Sequence, residues 1–263
     1  MLKRRLLGLG CSLALLALTA APATANTVAA GAATVPVVQV ADGSDVPPPA
    51  AGMVLDPNSL YVYWVYADLF GRAPDAAGLE TWAGLLDSGT PRVAVANAIT
   101  SSEEFRSGLI ADSYDWYLAR TPDAGGLGYW LSMMASGWTI SQMESGFIAS
   151  DEYYARAGGT PSAWVEALYA DVLERSASPA EIDYWTGRLA AGASRGAVAM
   201  GFLLSTEHLS SVVDGYYQWL LGRGLDASGK AYWVGQLQAG GRDEVIIGGI
   251  VSSDEYWAWT QAG

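Results

Sequence analysis

Four tryptophans in matching contexts constrain this chain more than any other feature. Trp82, Trp130, Trp185 and Trp233 follow one another at spacings of 48, 55 and 48 residues. In register with them, a Tyr stands sixteen residues before each Trp (Tyr66, Tyr114, Tyr169, Tyr217) and an Arg ten before (Arg72, Arg120, Arg175, Arg223). A Gly follows seven residues after each (Gly89, Gly137, Gly192, Gly240), a Ser twenty after (Ser102, Ser150, Ser205, Ser253) and a Glu twenty-two after (Glu104, Glu152, Glu207, Glu255). A unit of about 48 residues repeated in this way cannot cover its own apolar face, so neighbouring copies must cover one another.

The copies differ in an ordered way. The slot fourteen residues before the Trp is Asp68 and Asp171 in the odd copies but Trp116 and Trp219 in the even ones. Trp82 to Trp185 and Trp130 to Trp233 are both 103 residues, which predicts a duplicated pair. The seven extra residues of the middle spacing fall near Ala157-Gly158-Gly159-Thr160-Pro161, a turn-rich joint that divides the array into residues 56–157 and 158–263.

Each copy reads as short helices, and the predicted fold is all-α: a tandem array of four helical repeats. In the first copy Tyr66, Leu69 and Phe70 lie at helical spacing, and the Gly71-Arg72-Ala73-Pro74 stretch stops that helix. Asp75 suits an N-cap for a second helix with Leu79, Trp82, Leu85 and Leu86 on one face and Gly89 at its end. Thr90-Pro91 opens a third helix with the proline in its first turn, and Ser101 with Glu104 resembles a capping box for a fourth. No stretch alternates with strand period.

The N-terminus reads as an address. Lys3, Arg4 and Arg5 precede an apolar run at residues 6–18, and Ala23-Thr24-Ala25 supplies the small residues of a cleavage site, so residues 1–25 are expected to be a signal peptide. The run is too short for a retained membrane anchor, and no transmembrane segment is expected after cleavage. Residues 26–55, rich in Ala, Val and Pro, are expected to form a disordered spacer.

Charge and composition then exclude several functions. The chain has 27 acidic against 14 basic residues, a net charge of −13 that repels phosphate backbones, so nucleic acid is not an expected partner. One Cys, lying inside the signal, and one His cannot build a zinc, haem or thiol redox site, and no cofactor is expected. An exported chain without cysteines after cleavage must hold its fold by packing alone.

The string Gly-Arg-x-Pro-Asp-x-x-Gly-Leu-x-x-Trp at residues 71–82, with a downstream Ser-x-Glu-Phe, resembles the bacterial family named domain of unknown function 4214. The resemblance covers nearly all of residues 60–258 and is weaker in the third copy, where Ser178 and Glu181 replace the Asp and Gly. It implies a secreted or cell-surface module, and it brings no catalytic residue with it.

Candidate chemistry is sparse. His208 occupies the slot filled by Phe105, Tyr153 and Tyr256 in the other copies, which reads as a packed ring rather than the base of a Ser-His-Asp hydrolase. Asp75, Asp123 and Asp226 each supply one carboxylate where a calcium loop needs several oxygens, which reads as capping. No carboxylate pair is singled out for glycoside hydrolysis. The tryptophan excess remains: the four repeat residues are expected in the core, whereas Trp64, Trp116, Trp138, Trp219, Trp257 and Trp259 are candidate contacts for a ligand or partner. Trp164 is a seventh outside the repeat frame. The favoured reading for all seven is that they seal contacts between copies. The expected function is a secreted or cell-envelope, non-enzymatic interaction module whose partner is a cell-surface protein or glycan. A carbohydrate-binding module using exposed Trp is the alternative, and a secreted glycan hydrolase a further one.

Overall fold

The computed structural model describes residues 55–262 together with Pro49. The expected signal peptide and all of the expected spacer except Pro49 and Leu55 lie outside the described residues. Fourteen helices and no strand occur among the described residues. They are α1 (Pro57–Phe70), α2 (Ala76–Asp87), α3 (Arg92–Thr100), α4 (Glu103–Leu118), α5 (Ala124–Ala135), α6 (Ile140–Ala149) and α7 (Asp151–Arg156) in the first half. The second half has α8 (Pro161–Leu173), α9 (Pro179–Ala190), α10 (Arg195–Leu203), α11 (Thr206–Leu221), α12 (Ala227–Gln238), α13 (Asp243–Val251) and α14 (Asp254–Ala262).

Local chemistry sets these boundaries. Asp75, Asp123 and Asp226 stand as N-caps, each accepting from the backbone N–H three residues on, at Gly78, Gly126 and Gly229. In the divergent segment Ser178 and Glu181 replace that device with a reciprocal capping box, so the helix starts in the same register. α1 stops at Gly71, which takes the left-handed conformation at φ 66°, one turn before Pro74. The corresponding residues Ala119 (φ 50°) and Glu174 (φ 57°) adopt it without glycine's freedom, at a cost of about 1–2 kcal/mol each.

Two boundaries differ from the sequence reading. Pro91 is itself the cap of α3, with extended ψ, and the helix begins at Arg92. The cap of α4 is Ser102, which accepts from Phe105 N–H, because the preceding Ser101 still closes α3 in a helical conformation. The fourth helix of the first copy and the opening helix of the second are also one: α4 runs unbroken through sixteen residues, as does α11. Between the halves the corresponding helix is cut, because Gly158 (φ 106°) and Gly159 (φ 68°) end α7 and the Thr160 cap with Pro161 in the first turn starts α8. The inserted residues therefore break a helix that is continuous at the two other junctions.

The helices close on themselves instead of forming an open stack. One buried cluster runs from Tyr61 to Tyr256. The most extensive helix contacts are α3 with α13 and α6 with α10, so the first quarter of the fold meets the last as closely as the second meets the third. α14 lies on α1, where Tyr61 packs edge-on against Tyr256 at 6.2 Å and Gln261 Nε2 donates to Pro57 O at 3.2 Å. An apolar face left open at either end would be exposed to water, and closure removes both faces at once.

The contacts across the two seams exchange partners at a separation of 103 residues. Tyr153 Oη donates to Asp171 Oδ2 at 2.7 Å, and Tyr256 Oη donates to Asp68 Oδ2 at 2.6 Å. Arg195 pairs with Asp151 and lies over Tyr154, and Arg92 pairs with Asp254 and lies over Trp257. Burial pushes the Asp171 carboxyl above its ordinary range while the Tyr153 hydroxyl opposes the shift. No single described helix is long and apolar enough to cross a membrane; the bent pair α10–α11 meets the length and composition test together, and its Val198, Phe202, Leu203, Leu209 and Val213 are buried in the core.

Candidate functional site

The polar residues that recur in every quarter of the fold are paired with one another. Arg72, Arg120, Arg175 and Arg223 form ion pairs with Glu104, Glu152, Glu207 and Glu255 at 2.7, 2.6, 2.6 and 2.6 Å. Each guanidinium also lies over the ring of Tyr66, Tyr114, Tyr169 or Tyr217, at 5.2, 4.8, 4.7 and 5.5 Å from the centroid. The Tyr hydroxyl accepts from the indole N–H in three quarters, Trp82 to Tyr66 (2.9 Å), Trp185 to Tyr169 (3.2 Å) and Trp233 to Tyr217 (3.2 Å). Arg175 reaches Glu181 as well as Glu207, and with the Ser178 cap it holds the Glu181 carboxyl down to about 2. These half-exposed pairs set geometry more than stability, and no reacting group is left over among them.

The repeat tryptophans all join the core, but to different depths. Trp130 is buried, with its ring against Gly146, whereas Trp82, Trp185 and Trp233 are half-buried. They lie on α2, α9 and α12, each of which packs chiefly against the helix before it.

The six candidate contact tryptophans separate into two groups. Trp116 is half-buried and donates its Nε1–H to Asp171 O across the α4–α8 seam at 3.1 Å. Trp219 and Trp138 are half-buried against the main core, Trp138 beside Trp130 at 6.2 Å. Trp257 is half-buried between Tyr61 and Arg92, and Trp64 is half-buried with its Nε1 enclosed and unpaired. Trp259 is 48% exposed and is the one tryptophan among the exposed large apolar side chains of the described residues. Trp164 is fully buried and donates to Ile148 O at 3.0 Å.

Besides Trp259, the exposed rings are tyrosines. Tyr129, Tyr184 and Tyr232 are 54%, 55% and 59% exposed, and each immediately precedes a repeat tryptophan. Their rings stand edge-on to Trp130, Trp185 and Trp233 with centroids 5.0 Å apart in all three cases. A helix advances about 100° per residue, so a residue beside an inward Trp turns toward solvent. The first quarter has Thr81 in that slot. The signal was in the sequence: three rings recur at a position the helical wheel places outside.

Beside these tyrosines one helix position is small, while Met133, Arg188 and Gln236 stand four residues on, with the Arg188 guanidinium 6.0 Å from the Tyr184 ring centroid. Three residues further on stand Ser132, Gly187 and Gly235, all exposed, and Gly84 follows Thr81 in the same way. A Cβ added at Gly84, Gly187 or Gly235 would meet nothing within 4 Å. Glycine inside a helix costs about 0.5–1 kcal/mol relative to alanine, and no contact within the described fold accounts for these three.

A second unusual cluster lies inside. Glu144, Asp243 and Glu244 are buried, at 3–4% exposure. Asp243 accepts from Tyr216 Oη at 2.9 Å, and Glu244 pairs with Arg242 at 2.5 Å and with Arg106 at 3.7 Å. The other quarters have Ala96, Ala199 and Ile247 where Glu144 stands, so this too was legible as a break in the repeat. Its tyrosine is fully enclosed, and burial with the surrounding carboxylates raises the Tyr216 hydroxyl well above its ordinary range. The arrangement fastens α13 to α4 and α11 and offers no open face for a substrate. His208 is buried and its Nδ1 lies 2.8 Å from Val172 O, in a packing position like the rings of Tyr153 and Tyr256. No group of three or more His, Cys, Asp or Glu able to hold a metal occurs among the described residues.

The fold and these surfaces define a closed all-helical module with paired recurrent polar residues and three exposed tyrosines on separate helices. The family described as Domain of unknown function (DUF4214) matches residues 56–109, 144–212 and 210–259, and the chain belongs to it. No curated protein and no solved structure matches the chain.

Proposed function

We propose that this protein is a secreted or cell-envelope interaction module without enzymatic activity, built as four tandem units in a duplicated pair. The observation that carries the functional reading is the exposure of Tyr129, Tyr184 and Tyr232 on equivalent outer helices, while the recurrent charged residues are consumed in pairing. Aromatic side chains with an apolar body and a polar tip are favoured at binding surfaces, and repetition of one such face multiplies weak contacts. The duplicated pair is supported by the exchange of Asp68–Tyr256 and Asp171–Tyr153 at 103 residues. Export follows from the tripartite N-terminus, and the spacer would hold the module away from its point of attachment.

The mature chain, beginning at Asn26, is expected to cosediment saturably with isolated cell envelopes of the source bacterium. A protein that stays in the supernatant at every envelope concentration would contradict the reading.

A further inference from the structure

We infer that a second copy of this chain is a partner: two chains exchange halves at the Gly158-Gly159 joint, each first half docking on the second half of the other chain. The exchange needs no new surface, because every contact it uses already joins the halves within one chain. The halves meet along two seams related by the 103-residue repeat, α6 with α10 and α3 with α13. Trp164 donates to Ile148 O, Tyr153 to Asp171 and Tyr256 to Asp68 across them. The described chain passes from one half to the other once, in the turn between α7 and α8. That crossing decides whether the seams close within a chain or between chains. Where two copies share one unbroken helix, α4 or α11, their seam helices, α3 with α6 and α10 with α13, make no extensive contact. Across the broken joint α6 and α10 pack closely. Gly158 at φ 106° and Gly159 at φ 68° supply the bend, and a Cβ at Gly158 would stand 3.1 Å from Ala163 Cβ. Closure within one chain therefore rests on two glycines, and straightening the joint transfers the same seams to a second chain.

Polar contacts between the halves select which halves pair. Arg106 of the first half lies 3.7 Å from the buried Glu244 of the second, and Arg242 of the second donates to Met134 O of the first at 3.3 Å. The positions 103 residues away carry no such charges: Leu209 corresponds to Arg106, Ser141 to Glu244 and Thr139 to Arg242. Two first halves brought together would set Arg106 against Ser141, and two second halves would set Glu244 against Leu209. Either pairing takes away the counter-charge across the interface, the kind of cost by which enclosed polar residues fix pairing and register. Exchange between unlike halves keeps Arg106 with Glu244, and two chains then close on each other with no seam left open.

The test places cysteines in the mature chain, which otherwise has none. A Cβ at Gly196 would stand 3.9 Å from Ala149 Cβ, a separation that a disulfide spans, so Ala149→Cys with Gly196→Cys in one chain should crosslink within it on oxidation. The two substitutions are then put on separate chains, which are unfolded together, refolded at high concentration and oxidised. Light scattering gives the mass of the products and mass spectrometry the positions joined. A two-chain species with positions 149 and 196 of different chains joined is expected. A Gly158→Ala, Gly159→Ala, Pro161→Ala background, which penalises the bend and removes the helix-breaking proline, should raise the exchanged fraction at equal concentration by about tenfold or more. Val93 is the first-half equivalent of Gly196, so chains with Val93→Cys mixed with chains carrying Ala149→Cys should form no bond between positions 93 and 149. A bond there would overturn the pairing of unlike halves. A dimer without the 149–196 bond between chains, or chains that stay monomeric at every concentration, would overturn the exchange. Failure of the double-cysteine chain to crosslink within itself would remove the seam on which the inference rests. If the straightened variant does not fold, the mixture with the native joint still decides.

Discussion

Trp164→Ala is expected to destabilise the protein by about 3–5 kcal/mol, the range for removing a large buried ring. Trp164 is fully buried on α8, and its indole N–H reaches Ile148 O on α6 at 3.0 Å, so it ties the two halves together across the broken helix. The change therefore removes contact area and also unties the seam. Trp164→Phe weights the second effect: it keeps much of the ring and leaves the buried Ile148 O without its donor, at about 1–3 kcal/mol. Chemical denaturation of the three proteins measures both. A Trp164→Ala variant within about 1 kcal/mol of the parent, well below the loss expected for a buried ring, would show that the seam does not depend on it.

Arg242→Met is expected to be comparably costly, about 3–5 kcal/mol, for a different reason. Glu244 is 3% exposed and has Arg242 at 2.5 Å and Arg106 at 3.7 Å. The farther arginine is within ion-pair range but makes no hydrogen bond to the carboxylate. A carboxylate enclosed in protein and deprived of its close partner retains its desolvation penalty and keeps only the attraction of the farther Arg106. Adding Glu244→Gln to the Arg242→Met variant should recover a large part of the loss, since the unpaired charge is then gone. Stabilities of the two single variants and the double variant, compared by a mutant cycle, check this. A double variant no more stable than Arg242→Met would show that the charge was not the cause.

Most of the helical frame was legible because it is written in local chemistry. The caps at Asp75, Asp123 and Asp226 and the break around Gly158 and Gly159 follow from backbone preferences that act within a few residues. The fixed register of the recurrent Arg and Glu was legible, and two polar residues so held need partners; that each Arg meets the Glu 32 residues away is decided by the fold. Closure was not legible. Nothing in the repeat unit distinguishes an open stack from one whose last helix returns to its first, because that depends on the small rotation between neighbouring units. The same gap hid which rings are presented to solvent. Tryptophan abundance drew attention to Trp116 and Trp219, whose slot points out of its own unit, but in a closed body pointing outward from one unit means pointing into another. Tyr129, Tyr184 and Tyr232 lie on outer helices that closure leaves uncovered.

That division between tryptophans that seal and tyrosines that are presented decides where a partner binds. Equilibrium cosedimentation with isolated envelopes, run at a temperature where every variant is folded, compares the parent with Trp116→Ala, Trp219→Ala and with Tyr129→Ser, Tyr184→Ser, Tyr232→Ser. The tryptophan variant should bind as the parent does, and the tyrosine variant should stay in the supernatant. The opposite pattern, binding lost with the tryptophans and kept without the tyrosines, would contradict this division and return the contact surface to Trp116 and Trp219.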